Sequence, residues 1–142
     1  MLKAVFILLF YMAILPVNSA YSCSCGYFTP YDAIESRIES SRFILSGKVI
    51  SSGFVESGDA IYVRHKVRVI QAYKGNFSSK VIYIYSNNRG SNCGVKFAKG
   101  TKVLFYFYDK QNMFFTDACS PNKLLDRAEK DLEILKKKRM EN

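Results

Sequence analysis

Ile61-Tyr62-Val63-Arg64-His65-Lys66-Val67-Arg68-Val69-Ile70-Gln71-Ala72-Tyr73 is the stretch that decides the fold class. Val63, Val67 and Val69 alternate with Arg64, Lys66 and Arg68. Apolar and charged residues at alternate positions put one face on a core and the other in water, the pattern of a half-buried strand. Similar runs lie on either side. Phe43 to Val55 is a second candidate strand, interrupted near Ser51 to Gly53. Lys80 to Tyr85 and Thr101 to Tyr108 are rich in tyrosine, phenylalanine and valine. Met113 to Thr116 is a short fifth strand after a turn at Asp109 to Asn112. Gly58-Asp59, Lys74-Gly75-Asn76 and Asn87 to Asn92 supply the turn formers between them.

Further out, the chain changes period. Ala33, Ile34 and Ile38 stand at helical spacing within the polar stretch Asp32 to Arg42, which predicts a short helix. Ser120-Pro121 reads as an N-cap followed by proline at the first helical position. Leu124, Ala128, Leu132 and Leu135 then share one face, and Lys136 to Arg139 suit the negative end of the helix dipole. The expectation is a mainly β domain: five strands in one antiparallel set, forming a Greek-key barrel with a short N-terminal and a C-terminal helix. A two-sheet sandwich is the alternative.

The N-terminus reads as an export signal over residues 1–22. Lys3 gives a weakly basic start, Ala4 to Leu15 run apolar without a charge, and Pro16 ends the run. That is short of the roughly 18 to 20 residues that a spanning helix needs. Signal peptidase prefers small residues one and three positions before its cut. Val17 and Ser19 satisfy this moderately; Ala20 and Ser22 satisfy it better and leave Cys23 first. A bacterial lipoprotein reading is weaker, because Ala20 stands where a larger aliphatic residue belongs. Residues 23–142 then form one domain, with no linker and no internal repeat. Losing Lys3 leaves 20 basic against 12 acidic residues, a balance that favours acidic partners. Those partners are extracellular polyanions, membrane surfaces or an acidic protein face; export argues against nucleic acid, and no membrane-spanning segment is expected.

Cys23, Cys25, Cys93 and Cys119 are an even set in an exported chain, which reads as two disulfides. A bridge between Cys23 and Cys25 would be a tight ring that rarely forms. Both remaining connectivities tie the N-terminus to two distant points, each closing a loop worth about 4 kcal/mol on chain-entropy grounds. Zinc is a poor rival, since no Cys-x-x-Cys pair is present. Catalytic signatures are missing as well. His65, the single histidine, occupies an alternate strand position. There is no His-Glu-x-x-His, no glycine-rich phosphate loop and no Gly-x-Ser-x-Gly elbow. Asp126, Glu129, Asp131 and Glu133 read as the solvated face of a lysine-dense helix. An enzyme is not expected, nor a cofactor of its own. Asn76-Phe77-Ser78 is a glycosylation sequon, making Asn76 a candidate glycan site.

Cys23-Ser24-Cys25 at a mature N-terminus, with Cys93 and Cys119 downstream, resembles the N-terminal domain of the tissue inhibitors of metalloproteinases. These belong to the netrin-like modules, which have an OB-fold barrel. Their first cysteine bonds to one about 70 residues on and their third residue to one about 100 on; here the separations are 70 and 94. Phe43-Ile44-Leu45-Ser46-Gly47-Lys48-Val49 looks like the family's first barrel strand, Tyr73-Lys74-Gly75 like its aromatic-Lys-Gly strand end. Cys93-Gly94 and the turn Phe97 to Gly100 also fit. The resemblance covers Cys23 to Leu135 and implies pairing Cys23–Cys93 and Cys25–Cys119. Three features depart from it. No cysteine lies in Asp32 to Arg42, Phe28-Thr29-Pro30-Tyr31 replaces the His-Pro-Gln stretch of the vertebrate members, and their second domain is missing. The chain looks like a compact single-domain relative.

The activity implied is inhibition of matrix-metalloproteinase-type enzymes. The Cys23 amine and carbonyl would chelate the catalytic zinc of the target, displacing its activated water. Ser24 would enter the adjoining specificity pocket, and Gly26, Tyr27, Asn92 and Gly94 would form the surrounding ridge. The alternative is a non-inhibitory netrin-like module that binds matrix polyanions of the heparin type or a receptor. Lys136 to Arg139 and the Arg64, Lys66 and Arg68 face would serve that role.

Overall fold

The computed structural model describes Cys23, Cys25, residues 33–88 and residues 93–140. The expected signal segment 1–22, the Phe28 to Tyr31 stretch, and Ser24, Gly26, Tyr27 and Asn92 lie outside the described residues.

A seven-residue helix, α1 (Ile34–Ser40), precedes two long strands, β1 (Phe43–Ser57) and β2 (Ala60–Lys74). They form a hairpin around Gly58 and Asp59, in which Gly58 has φ 60°. A two-residue hairpin turn needs positive φ at its centre, and glycine adopts it without steric cost. The break expected near Ser51 to Gly53 is not a break. The strand continues, and a register shift between Val49 and Ser51 marks a bulge. One extra residue on β1 changes which side its later side chains face, and it sets Ser52 directly across from His65.

β3 (Val81–Asn87), β4 (Lys102–Lys110), β5 (Met113–Phe115) and the two-residue β6 (Lys123–Leu124) complete a six-stranded sheet. Its order is β1-β2-β3-β5-β4-β6, and β4 pairs with β1 as well. The pairings among the first five strands therefore return to their starting point. A ring with an odd number of strands cannot alternate direction all the way round. This is why β3 and β5 run parallel, correcting the expectation of a wholly antiparallel set.

Two apolar clusters hold the sheet. Leu45, Val49, Val67, Ile82, Ile84, Val103, Phe105 and Phe107 fill its inner side. Ile44, Leu104 and Tyr106 point the other way, onto Ile38 of α1 and onto Ala128 and Leu135. Val103 to Phe107 is buried at every position because β4 is covered on both faces. Each buried large side chain contributes on the order of 2 kcal/mol.

The C-terminal helix, α2 (Glu129–Met140), starts later than the Ser120-Pro121 signal predicts. Residues 120–124 are occupied otherwise. The Ser120 N–H donates to Asp117, and Asn122 Oδ1 accepts the Tyr106 N–H at 2.9 Å. Lys123 and Leu124 pair with β4, and a 3-10 turn (Leu125–Arg127) follows. Leu124 is 38% exposed and does not belong to the packed face. Asp126, Glu129 and Glu133 are solvated as expected, but Asp131 is buried and is a correction to that reading. Among the described residues no helix is long and apolar enough to cross a membrane.

Candidate functional site

Two disulfides fasten the N-terminal arm to the sheet. Cys23 is bonded to Cys93 and Cys25 to Cys119, with Cα separations of 5.4 and 5.3 Å. Among the described residues no cysteine is free. The two receiving segments touch each other, since the Ala118 N–H donates to the Cys93 carbonyl at 2.8 Å. The arm is thus held at two points, two residues apart, on two loops that are themselves joined.

The segment carrying Cys93 is pinned to the sheet by backbone and side-chain bonds. The Val95 N–H donates to Ser86 Oγ at 2.8 Å, and the Val95 carbonyl lies 3.2 Å from His65 Nε2. The Ser52 hydroxyl donates to the Phe97 carbonyl at 2.7 Å and stands 2.7 Å from His65 Nδ1. The Phe97 ring packs edge-on against His65 and Phe105. Gly94 has no room for a side chain, because a Cβ there would run into the Asn87 backbone carbonyl. Cys93 itself has φ 55°, in the left-handed region.

Asp117 organises the second loop. Its Oδ1 accepts the N–H groups of Cys119 and Ser120 at 2.9 and 2.8 Å, an Asx-type turn. Its Oδ2 accepts the Tyr108 hydroxyl at 2.8 Å. Burial, then the bond to and the charge of Asp117, push the Tyr108 hydroxyl well above the usual tyrosine range. Thr116 fixes the start of the loop, its N–H donating to the Tyr85 carbonyl at 2.8 Å.

Of the residues singled out from sequence, Cys23, Cys25, Cys93, Gly94 and Cys119 come together here. Asn76 is exposed in the β2–β3 connection, where a glycan would meet solvent. Ser52, Ser86, Tyr108 and Asp117 escaped notice. Isolated serines and tyrosines carry no pattern, but Asp117 two residues before Cys119 was a readable turn signal. Among the described residues no group of histidine, cysteine, aspartate and glutamate could hold a metal ion.

No protein-family model and no curated protein matches this chain.

His65 is fully buried, and desolvation, with Lys96 adding repulsion, lowers its pKa below the ordinary 6.5; the Val95 bond opposes this. Folded and unfolded chains are both neutral at His65 above pH 6.5. Below that value the unfolded chain takes up a proton that the folded one resists, so stability falls with acidification. Thermal unfolding across roughly pH 5 to 8 is expected to show this loss beginning below the ordinary value. His65→Gln should be less stable near neutrality yet flatter in its pH dependence. A wild-type profile as flat as the variant's would count against this assignment.

Proposed function

We propose that this protein is a secreted inhibitor of zinc metalloproteinases of the matrix metalloproteinase type. In this reading the mature chain begins at Cys23, whose amine and carbonyl bind the zinc of the target protease. Ser24 enters the pocket beside the zinc, and Gly26, Tyr27, Asn92 and Gly94 flank the contact. The protein brings no metal of its own; the zinc belongs to the partner.

One observation carries the proposal. Cys23 and Cys25 are each tied by a disulfide to loops that bond to one another through Ala118 and Cys93. An N-terminus held in this way loses little freedom on binding, so more of the contact energy appears as affinity. A terminal amine and the carbonyl of the same residue form a five-membered ring with a metal that has an open position. The ring of pairings from β1 through β2, β3, β5 and β4 back to β1 supports a finer fold reading, a small closed barrel of the OB type. A C-terminal helix against its outer side fits the netrin-like form of that barrel.

The secreted product tests the proposal. Its intact mass should correspond to a chain starting at Cys23 with both disulfides formed. It should inhibit the catalytic domain of a matrix metalloproteinase with one-to-one stoichiometry. A product beginning at Ala20 that inhibits equally well would overturn the chelation.

A further inference from the structure

The β1–β2 hairpin reaches beyond the sheet that carries it. β4 covers β1 only from Phe43 to Lys48, and backbone bonds with Gly100 and Thr101 extend that cover to Val49. Over residues 51–57, β1 pairs with β2 alone, and among the described residues no backbone bond reaches its other edge. An open edge offers a row of N–H and C=O groups to another strand, and native sheets blunt such edges with lysine, proline or bulges. Ser51-Ser52-Gly53-Phe54-Val55-Glu56-Ser57 has no lysine and no proline. The bulge lies before it, between Val49 and Ser51.

The same hairpin carries apolar surface out of the core. Phe54 pairs with Val63 and Glu56 with Ile61, so these four share the side on which Val63 and His65 are buried. Val63 is fully covered, whereas Phe54 is 60% and Ile61 47% exposed. With Glu56 and Asn88 the two apolar side chains line an open depression. Opposite charges stand on either side of Phe54. The Lys96 ammonium lies 5.1 Å over its ring, and Glu56 follows two residues further along the strand. Both are exposed, and among the described residues neither belongs to an ion pair.

We propose that the open edge at residues 53–57 joins a second copy of this chain across a two-fold axis, as an antiparallel strand pair centred on Val55. Antiparallel pairing of identical strands is two-fold by construction, so the patch has only to complement itself. With Val55 opposite its own counterpart, Phe54 stands across from Glu56 of the second copy. Each Glu56 then faces the ring on which the other copy's Lys96 rests, and this attraction is made twice. The strand of a different protein would have to bring its own anion and cation in the same order; a second copy already has them. Phe54 loses its contact with water in the same step. The contact is one strand wide, and an interface of that size belongs to a reversible dimer. The proposal is independent of protease inhibition.

Sedimentation equilibrium of the secreted chain over a micromolar concentration series tests it. Physiological ionic strength screens the repulsion between two basic copies beyond about 8 Å and leaves the close contact intact. A reversible monomer–dimer equilibrium is expected. Glu56→Lys should weaken dimerisation at least about tenfold by setting like charges against each other, and Lys96→Glu should do the same. The double variant Glu56→Lys with Lys96→Glu exchanges the two charges, and its dimer should return to within about threefold of the wild-type affinity. Recovery in the double variant separates a contact between copies from damage to the hairpin. A chain that stays monomeric throughout, a dimer indifferent to Glu56→Lys, or a double variant as weak as the single ones would overturn the proposal. So would growth past the dimer, which a closed two-fold contact forbids.

Discussion

Adding one alanine before Cys23, or acetylating the Cys23 amine, is expected to weaken metalloproteinase inhibition by orders of magnitude while leaving both disulfides and the unfolding temperature unchanged. Each change removes the free amine that would complete the proposed chelate. The additional residue would also stand between the proposed wedge and the zinc. A metal bond and a rigid geometry are lost together, which is why the effect should exceed that of any side-chain substitution in the contact. Ser24→Gly should do less, because it removes a pocket contact and a hydroxyl but leaves the ring of donor atoms. Acid should act in the same direction as acetylation. A terminal amine has a reference pKa of about 7.7 to 8.0 and binds metal only when unprotonated, so inhibition should weaken progressively as the pH falls below about 8. This loss is separable from that caused by His65, since His65→Gln would flatten the pH profile of stability and leave that of inhibition in place. Inhibition constants for the wild-type and extended proteins decide the matter. If the two inhibit equally well, zinc chelation by Cys23 is wrong, and a binding module without inhibitory activity becomes the better account.

The strands were legible wherever one face is wet. β2 declares itself by alternating valine with arginine and lysine, and the structure keeps Val63 and Val67 buried with Arg64 and Arg68 exposed. β4 was legible by composition, since a strand covered on both faces has no alternation to show. The bulge in β1 was misread as an interruption. Serine and glycine at Ser51 to Gly53 weaken the apolar pattern without breaking the ladder. Ser120-Pro121 misled for a physical reason: a serine side chain and N–H can serve a preceding aspartate turn as readily as a following helix, and Asp117 competes for both. The parallel β3–β5 pair could not be read locally, because it follows from the whole ring of pairings. At the site, the cysteine positions were visible. The supports beneath them were not, because Ser86, Ser52 and Tyr108 act through contacts distant in sequence.

Asp131 is expected to show the largest effect on stability of any single substitution among the charged residues. The helix it belongs to reads as a lysine-rich amphipathic segment, yet Asp131 is 1% exposed and faces β4. Its Oδ1 accepts the Tyr106 hydroxyl at 2.7 Å, and its Oδ2 is paired with Lys123 of β6. Burial first, then the bond to and the charge of Asp131, raise the Tyr106 hydroxyl far above its ordinary range, with Arg37 opposing. Asp131→Ala would leave a buried hydroxyl without its acceptor and a lysine without its anion. A loss of about 3 kcal/mol is expected, with Lys123 contributing the lesser part because it is 30% exposed and partly screened. Tyr106→Phe should lose only about 1 kcal/mol, because Asp131 keeps its cation. The triple variant Asp131→Leu, Lys123→Met and Tyr106→Phe should recover much of the loss, since apolar groups of similar size can replace a buried polar network when no hydroxyl is left behind. Denaturant unfolding compares the four proteins. An Asp131→Ala protein within about 0.5 kcal/mol of wild type would show that α2 is held by its apolar face alone, and a triple variant as unstable as Asp131→Ala would show that apolar side chains cannot replace this network.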